Sequence, residues 1–222
     1  MYWLLNSSIG RKVIMSVSGI FLILFLLFHM SMNLTLLFSA EAYDMICGLL
    51  GANWYAIAGT LVLVAGVAVH ILYASLLTLQ NRRARGSKGY LASSKTDTEW
   101  SAKNMYVLGI IIVLGLLLHL WNFWYKMQFA ELTGIHTGEH LPHEGAAYVS
   151  ELFACPCYCV IYLVWLGAIW LHLTHGVWSA FQSVGLSNKT WYPRWKTISY
   201  VVSTIIVLGF AAVPIKFLLF NV

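Results

Sequence analysis

The sequence predicts an all-α membrane protein, a bundle of five transmembrane helices. Its 222 residues are 60% hydrophobic and only 9% charged, whereas a soluble domain carries about 25% charged residues. Five apolar stretches are each long enough to supply the roughly 20 residues that one bilayer-spanning helix requires. They follow one another along the whole chain, so residues 1–222 are expected to form a single domain.

Each helix is predicted from an apolar stretch and from the charges that flank it. The expected spans are about residues 13–38, 54–80, 104–129, 153–183 and 198–220. Arg11 and Lys12 precede the first stretch, and Arg82 follows the second. Lys103 precedes the third stretch, the fourth contains no charged residue, and Lys196 precedes the fifth. No stretch has a charge in its central part, as expected of a transmembrane helix.

The basic residues lie on one side of this five-helix path. Eleven of the thirteen flank the start of the first helix, the second-to-third loop and the fourth-to-fifth loop: Arg11, Lys12, Arg82, Arg83, Arg85, Lys88, Lys95, Lys103, Lys189, Arg194 and Lys196. The opposite side holds Lys126 and Lys216 together with six of the eight acidic residues. The positive-inside rule then places the N-terminus in the cytoplasm and the C-terminus outside. This distribution argues against a nucleic-acid partner. It would suit a cytoplasmic partner protein, although topology alone explains the same charges.

Four histidines lie deep in four of the apolar stretches: His29, His70, His119 and His172. An ionisable side chain is costly to place in hydrocarbon, so in a membrane helix it usually has a functional partner. Neutral imidazole is a favoured iron ligand, and a haem iron with two axial positions can take a pair. Four buried imidazoles on four helices therefore predict two haems, although one membrane histidine alone would more often make an interhelical hydrogen bond.

Depth in the membrane predicts which histidines pair. His29 and His119 lie late in outward-running helices, and His70 and His172 lie late in inward-running helices. The expected pairs are therefore His29 with His119 toward the outside and His70 with His172 toward the cytoplasm, separated by roughly 10 Å along the membrane normal. His175 competes with His172 for the fourth position, but its depth matches that of His70 less well.

Small residues next to the histidines predict room for a flat macrocycle. Gly66, Gly115 and Ala168 each precede a histidine by four residues, and residues at that spacing share a helix face. His29 breaks the pattern because Phe25 occupies that position. Ordinary close packing of membrane helices is an equally good explanation of the small residues.

Several segments resemble a known family. The stretches SGIFLILFLLFHMSMN, VHILYA, LHLWNFW and HLTHGVWSAFQSVG, with the loop segment AEAYD, are similar to the di-haem cytochrome b membrane anchor of succinate:quinone oxidoreductases. This is the five-helix, single-subunit type of succinate dehydrogenases and fumarate reductases. The resemblance implies two b haems, ligated by the first with the third histidine and the second with the fourth. It also implies a bacterial inner membrane location and a quinone, with menaquinone as the expected species.

The resemblance further implies partner proteins and a division of labour. A flavoprotein would carry the succinate or fumarate site, and an iron–sulfur protein on the cytoplasmic side would exchange electrons with this chain. The whole complex is expected to form a dimer in some members. Some fumarate reductases of the family carry a proton-moving glutamate two residues before the last haem ligand, where this chain has Trp170. A proton path of that kind is therefore not expected here.

Weaker predictions concern the quinone and the haem propionates. Asn33, Glu41 and Trp121, together with Tyr43, Asp44, Trp54, Asn122 and Tyr125, are candidates near the outer haem, although Trp and Tyr at helix ends also form the usual interfacial belt. Candidates near the propionates are Ser16, Ser18, Arg82, Lys103, Lys189 and His175. A serine in a membrane helix more often bonds its own backbone.

Two other functions remain open at this stage. A di-haem cytochrome b of a formate dehydrogenase or hydrogenase would have similar chemistry. A histidine-lined transporter would instead require broken helices at mid-membrane, and the prolines within the spans, Pro156 and Pro214, both lie near the outer end.

The four cysteines all fall on the predicted outer side: Cys47, Cys155, Cys157 and Cys159. They lack the CxxC spacing of metal and redox sites, so free thiols are expected. A disulfide from Cys47 to the 155–159 run, or zinc bound with the loop histidines His136, His140 and His143, are alternatives.

Overall fold

The protein is helical, as its composition predicts. A computed structural model describes residues 7–85, 99–135 and 138–220, and within these residues every regular element is a helix. Five of the helices are long and apolar enough to cross a membrane, which confirms the predicted fold class and makes the chain a multi-pass membrane protein. Lys88 and Lys95 of the predicted basic side, and His136 of the zinc hypothesis, lie outside the described residues.

Among the described residues, seven α-helices of nine or more residues follow one another along the chain. Their bounds are α1 Ser8–Leu34, α2 Ala40–Leu49, α3 Trp54–Arg85, α4 Trp100–His119, α5 Gly145–Phe153, α6 Pro156–Ser183 and α7 Trp191–Phe220. A 3₁₀ turn, Thr35–Leu37, follows α1. The membrane-spanning helices are α1, α3, α4, α6 and α7, while α2 and α5 are short helices in the loops.

Most of the spanning helices extend beyond the apolar stretches that predicted them. The first begins at Ser8 instead of about residue 13, and the last at Trp191 instead of about 198. Lys and Arg are good helix formers, so the helix passes through the flanking charges until a cap stops it. The hydroxyl oxygen of Ser7 provides such a cap by accepting a hydrogen bond from the Gly10 N–H at 2.9 Å. By contrast, α6 starts late, at Pro156, because proline suits a first helical turn.

The third spanning helix changes its winding directly after His119. Residues Leu120–Phe129 form a π-helix, and Ala130–Thr133 add a final α-helical turn. Wider π-type turns in a helix are frequent at functional sites. Two polar side chains of this segment bond to neighbouring helices, since Asn122 donates to the Tyr162 hydroxyl at 3.1 Å and Gln128 accepts from the Thr60 hydroxyl at 2.9 Å.

The bundle is organised around α6. This helix packs along α1, α4 and α7, and α1 also packs along α3 and α7. The contact between α3 and α4 is thin, and no residue in the most apolar part of α3 is buried. The contacts α3–α1, α1–α6 and α6–α4, closed by the thin contact between α4 and α3, arrange these four helices in a ring. In that ring α1 lies diagonally from α4, and α3 lies diagonally from α6.

The two short helices close one end of the bundle, where α1 stops. Asp44 of α2 accepts a hydrogen bond from the Ala146 N–H at 2.8 Å, and so caps the start of α5. A Cβ on Gly145 would overlap the Cys47 thiol and the Tyr43 ring, so only glycine allows this approach. Burial raises the pKa of Cys47 to about 12 and also raises the pKa of Tyr43, which keeps both groups neutral.

Candidate metal centre in the membrane

Four histidine rings lie in two pairs inside the bundle. The ring centres of His29 on α1 and His119 at the end of α4 are 5.9 Å apart, with the ring planes at 82°. Those of His70 on α3 and His172 on α6 are 6.4 Å apart, with the planes at 70°. Each pair joins two diagonally placed helices. The structure therefore brings together the same two pairs that the depth argument predicts.

The spacing within each pair suits a metal ion held between two imidazoles. A histidine–metal bond is about 2 Å long, so two such bonds in line separate the ligating nitrogens by about 4 Å. Adding about 1 Å from each nitrogen to its ring centre places the centres about 6 Å apart. The observed 5.9 Å and 6.4 Å are close to this value. Packed aromatic rings also adopt such spacings, so the geometry permits iron ligation without requiring it.

The ring of His70 is held against α1. Its Nδ1 lies 3.3 Å from the Ser18 hydroxyl oxygen, and that hydroxyl also donates to the Met15 carbonyl at 2.9 Å. A Cβ on Gly19 would lie only 3.3 Å from Cε1 of His70, so the glycine leaves a notch that the imidazole fills. The sequence offers Ser18 as a propionate contact, whereas the structure places its hydroxyl on the imidazole.

The ring of His29 has aromatic and polar neighbours. Phe25 stacks on it with ring centres 5.3 Å apart and planes at 12°, and Phe210 of α7 lies 5.6 Å away. The Asn33 amide donates to the His29 carbonyl at 2.8 Å and lies 3.5 Å from Nδ1, a distance too long to fix the tautomer. The Tyr43 hydroxyl in turn donates to the side-chain amide oxygen (Oδ1) of Asn33 at 3.3 Å. A chain of polar contacts thus links the short helix α2 to His29.

The ring of His119 lies among aromatic side chains that the sequence analysis did not single out. Trp165 and Tyr162 of α6 have ring centres 5.9 Å and 6.3 Å from it. The Tyr162 hydroxyl accepts a hydrogen bond from Asn122 at 3.1 Å, which brings a buried polar pair beside the histidine. An aromatic residue inside an apolar helix usually packs in the core, so the sequence offers no signal for Tyr162. Nδ1 of His119 and of His172 are buried without a hydrogen-bond partner among the described residues.

His175 has a carboxylate and an indole as its neighbours. Its Nδ1 is 3.6 Å from the Glu99 carboxylate, and its ring contacts Trp178 with centres 4.8 Å apart. Glu99 also forms an ion pair with Lys196 at 2.5 Å. The histidine that faces His70 is thus His172, and the neighbour of His175 is the carboxylate of Glu99, directly before α4.

The remaining propionate candidates differ in burial. Ser16 is buried within α1. Arg82 at the end of α3 and Lys103 at the start of α4 are exposed, as is Lys189 in the loop before α7. Only Ser16 and Ser18 therefore lie inside the bundle, and Ser18 has a histidine as its partner.

The predicted room beside the histidines is occupied by aromatic rings. A Cβ on Gly66 would overlap the ring of Phe21, and a Cβ on Gly115 would overlap the indole of Trp165. The indole N–H of Trp165 donates to the Ile112 carbonyl at 3.1 Å, which fixes it against α4. Both glycines thus serve close helix packing in this structure, the alternative explanation of the small residues, and a porphyrin beside them would displace these rings.

The quinone candidates do not form one cluster. Asn33 bonds to Tyr43, Asp44 caps α5, and Asn122 bonds to Tyr162, so each has a structural partner. Glu41 is exposed in the first turn of α2. Trp121 is 63% exposed and stacks on Tyr125 with ring centres 4.9 Å apart, as expected of an aromatic residue facing lipid.

A groove and a smaller cavity lie on the described part of the bundle. A groove of about 510 Å³ between α1 and α3 is lined by apolar side chains, Phe25 among them, and would offer no hydrogen bond to a quinone carbonyl. A smaller cavity of about 250 Å³ lies where α1 ends, between α2, α5 and α7. Its lining combines the amine of Lys216 and the hydroxyls of Ser39 and Ser150 with the rings of Phe38 and Phe217. The sequence gives no signal for this combination because the residues come from three separate segments.

The zinc and disulfide alternatives gain no support from the described residues. Over residues 7–85, 99–135 and 138–220, no group of three or more His, Cys, Asp and Glu side chains is placed to hold a metal ion. A haem iron differs from zinc in this respect because the porphyrin supplies four ligands and the protein only the axial pair. All four cysteines are free thiols.

The chain matches no protein-family model, no curated protein and no solved structure. The family resemblance thus rests on the sequence segments quoted above, and the function that it implies is a proposal.

Proposed function

We propose that this chain is the quinone-reactive membrane anchor of a succinate dehydrogenase or fumarate reductase complex in a bacterial inner membrane. It would bind two b haems and pass electrons between an iron–sulfur partner and a quinone, with menaquinone as the expected species. The observation that carries the proposal is the arrangement of four imidazoles as two facing pairs, about 6 Å between ring centres, within a membrane bundle. The quoted motifs support the same function.

The residues present fit a haem in three respects. The paired rings have the spacing of a two-histidine metal site. Nδ1 of His119 and His172 have no hydrogen-bond partner among the described residues, so no hydrogen bond from Nδ1 commits either ring to another role. His70 fills the notch at Gly19. In this proposal His29 and His119 hold one iron, and His70 and His172 hold the other. The haem, when bound, supplies one-electron redox chemistry.

The chain's own residues would orient the ligands and exclude water. Phe25 and Phe210 cover His29, and the short helices α2 and α5 close the bundle above the outer pair. Trp170, at the position of the glutamate of some relatives, donates to the Thr204 hydroxyl at 3.0 Å. An indole N–H donates a hydrogen bond but does not release its proton as a carboxyl group does, so Trp170 supports a protein that transfers electrons without a proton path at that point.

The small cavity with Lys216 is the best candidate for the quinone head group. A quinone needs an apolar slot and a hydrogen-bond donor at its carbonyl oxygen, and this cavity has an amine, two hydroxyls and two phenyl rings. Lys216 would donate to the carbonyl and supply a proton as the quinone is reduced. Glu41 and Trp121, the candidates from sequence, do not line this cavity.

Other functions receive less support. The transporter hypothesis predicts helices that unwind at mid-membrane, but α7 stays helical through Pro214 and α1, α3 and α6 are continuous. A cytochrome b subunit of a formate dehydrogenase or hydrogenase would use the same paired imidazoles. The HLTHGVWS segment and the use of four successive helices favour the succinate or fumarate complex.

The decisive experiment is a dithionite-reduced minus oxidised spectrum of the purified chain, with haem quantified per polypeptide. Two b haems per chain are expected. His70→Ala should lose the inner haem and keep the outer one, whereas His29→Ala should lose the outer haem and keep the inner one. The haems that remain in the two variants should differ in midpoint potential. A correctly folded, membrane-inserted chain that binds no haem when haem is supplied would refute the proposal.

A further inference from the structure

Ser18 and Gly19 of α1 together contact the imidazole of His70. Ser18 is buried, and its hydroxyl oxygen lies 3.3 Å from His70 Nδ1. Gly19 provides the notch in which the ring sits, because a Cβ there would lie 3.3 Å from Cε1 and 3.6 Å from Nδ1. Two adjacent residues thus fix both a ring edge and a ring nitrogen.

The contacts of Ser18 favour one of the two neutral tautomers of His70. The Ser18 hydroxyl also lies 2.9 Å from the Met15 carbonyl oxygen. A carbonyl oxygen can only accept, so the hydroxyl hydrogen must point toward Met15. The contact with Nδ1 is then a hydrogen bond only if Nδ1–H donates and the serine oxygen accepts. Nε2 is left with its lone pair, which is the form that a metal requires.

The other ligand candidates lack this arrangement. Nδ1 of His172, the partner of His70, has no hydrogen-bond partner among the described residues, and the same holds for Nδ1 of His119. The Asn33 amide near His29 is 3.5 Å from Nδ1 and is already bonded to the His29 carbonyl. The inner pair is therefore asymmetric, with one anchored and one unanchored imidazole.

We infer that Ser18 and Gly19 are positioning residues for His70, which fix its Nδ1–H tautomer and ring orientation and so set the reduction potential of the inner haem. This inference rests on the proposed haem function. A hydrogen bond donated by Nδ1–H makes the imidazole more electron-rich and a better ligand. Such a ligand favours ferric over ferrous iron, so the bond lowers the midpoint potential of the inner haem.

The test is a redox titration of both haems in membranes containing the complex, for Ser18→Ala, Ser18→Thr and wild type. Ser18→Ala should raise the inner potential by about 59 mV, a tenfold change in a one-electron equilibrium, and leave the outer potential unchanged. The hydroxyl of Ser18→Thr should restore the wild-type value. Loss of only the inner haem from Ser18→Ala would also support the inference, since outer-shell partners typically contribute about 10-fold to 100-fold in metal affinity.

A matched control is available on the same helix. The Ser31 hydroxyl, like that of Ser18, donates to a backbone carbonyl of its own helix, here that of Leu27 at 2.8 Å. Unlike Ser18, Ser31 is exposed. Ser31→Ala should therefore leave the midpoint potentials of both haems unchanged. An unchanged inner potential in Ser18→Ala with both haems bound would overturn the inference, as would loss of both haems together. A wild-type chain without haem would instead refute the proposed function itself.

Discussion

Gln128, in the π-helical segment that continues α4, should be the main connection between the third spanning helix and the second, α3, with the loop before it. Its side-chain oxygen accepts from the Thr60 hydroxyl at 2.9 Å and from the Trp124 indole at 2.8 Å, and its amide donates to the Gly51 carbonyl at 2.9 Å. The two helices otherwise touch only thinly. Replacing Gln128 by Leu removes three hydrogen bonds, each worth about 0.6 kcal/mol in a membrane protein. We therefore expect a loss of about 2 kcal/mol in the free energy of unfolding.

The measurement is reversible unfolding in mixed detergent micelles, followed by circular dichroism, for Gln128→Leu and a control on the same helix. Asn104 also carries an amide on α4, but its side chain donates only to the Trp100 carbonyl of its own helix, at 2.9 Å. Asn104→Leu should thus change the stability by less than about 0.5 kcal/mol. Equal free energies of unfolding for the two variants would refute the reasoning. They would show that the hydrogen bonds of Gln128 stabilise the protein no more than the bond of Asn104 to its own helix does.

Three other perturbations test separate parts of the structure. Gly145→Val should lower the unfolding free energy by about 1–3 kcal/mol through overpacking, measured in the same assay, because its side chain would overlap a thiol and a tyrosine ring of α2. Burial raises the pKa of Glu99, but the Lys196 ammonium outweighs it and holds that pKa below the usual range. The ion pair therefore stabilises the fold at neutral pH, and this contribution should disappear as the pH falls below about 4. The free energy of unfolding of Glu99→Gln and of the wild type is measured as a function of pH. Parallel curves for the two proteins would contradict a contribution from the ion pair. Lys216→Gln should slow quinol oxidation by the complex at least tenfold and leave both haem spectra unchanged. The control is Lys126→Gln, since Lys126 is ion-paired with Glu151, and it should not slow the reaction. Equal rates for the two variants would show that Lys216 is not part of the quinone site.

The fold class, a membrane bundle of five helices, could be predicted from the sequence because it depends only on local properties of each stretch of the chain. Hydropathy and the length of each apolar stretch determine how many helices cross a membrane, whatever their packing. The pairing of His29 with His119, and of His70 with His172, was also within reach, because depth follows from position along a helix of known rise.

Helix ends were predicted less well for a related reason. Hydropathy measures where apolar residues stop, whereas a helix stops at its cap. The first helix therefore continues back to the Ser7 cap through Arg11 and Lys12, and the short helix α5 separates from α6 at Pro156.

Only the tertiary structure decided what each side chain faces. In a membrane protein, lipid and core are both apolar, so hydrophobicity around a helix does not reveal its inward face. The sequence therefore could not show that Ser18 contacts His70, that Tyr162 lies beside His119, or that Phe21 and Trp165 fill the notches at Gly66 and Gly115. These contacts depend on the rotation of each helix about its own axis, which is fixed when the helices pack together.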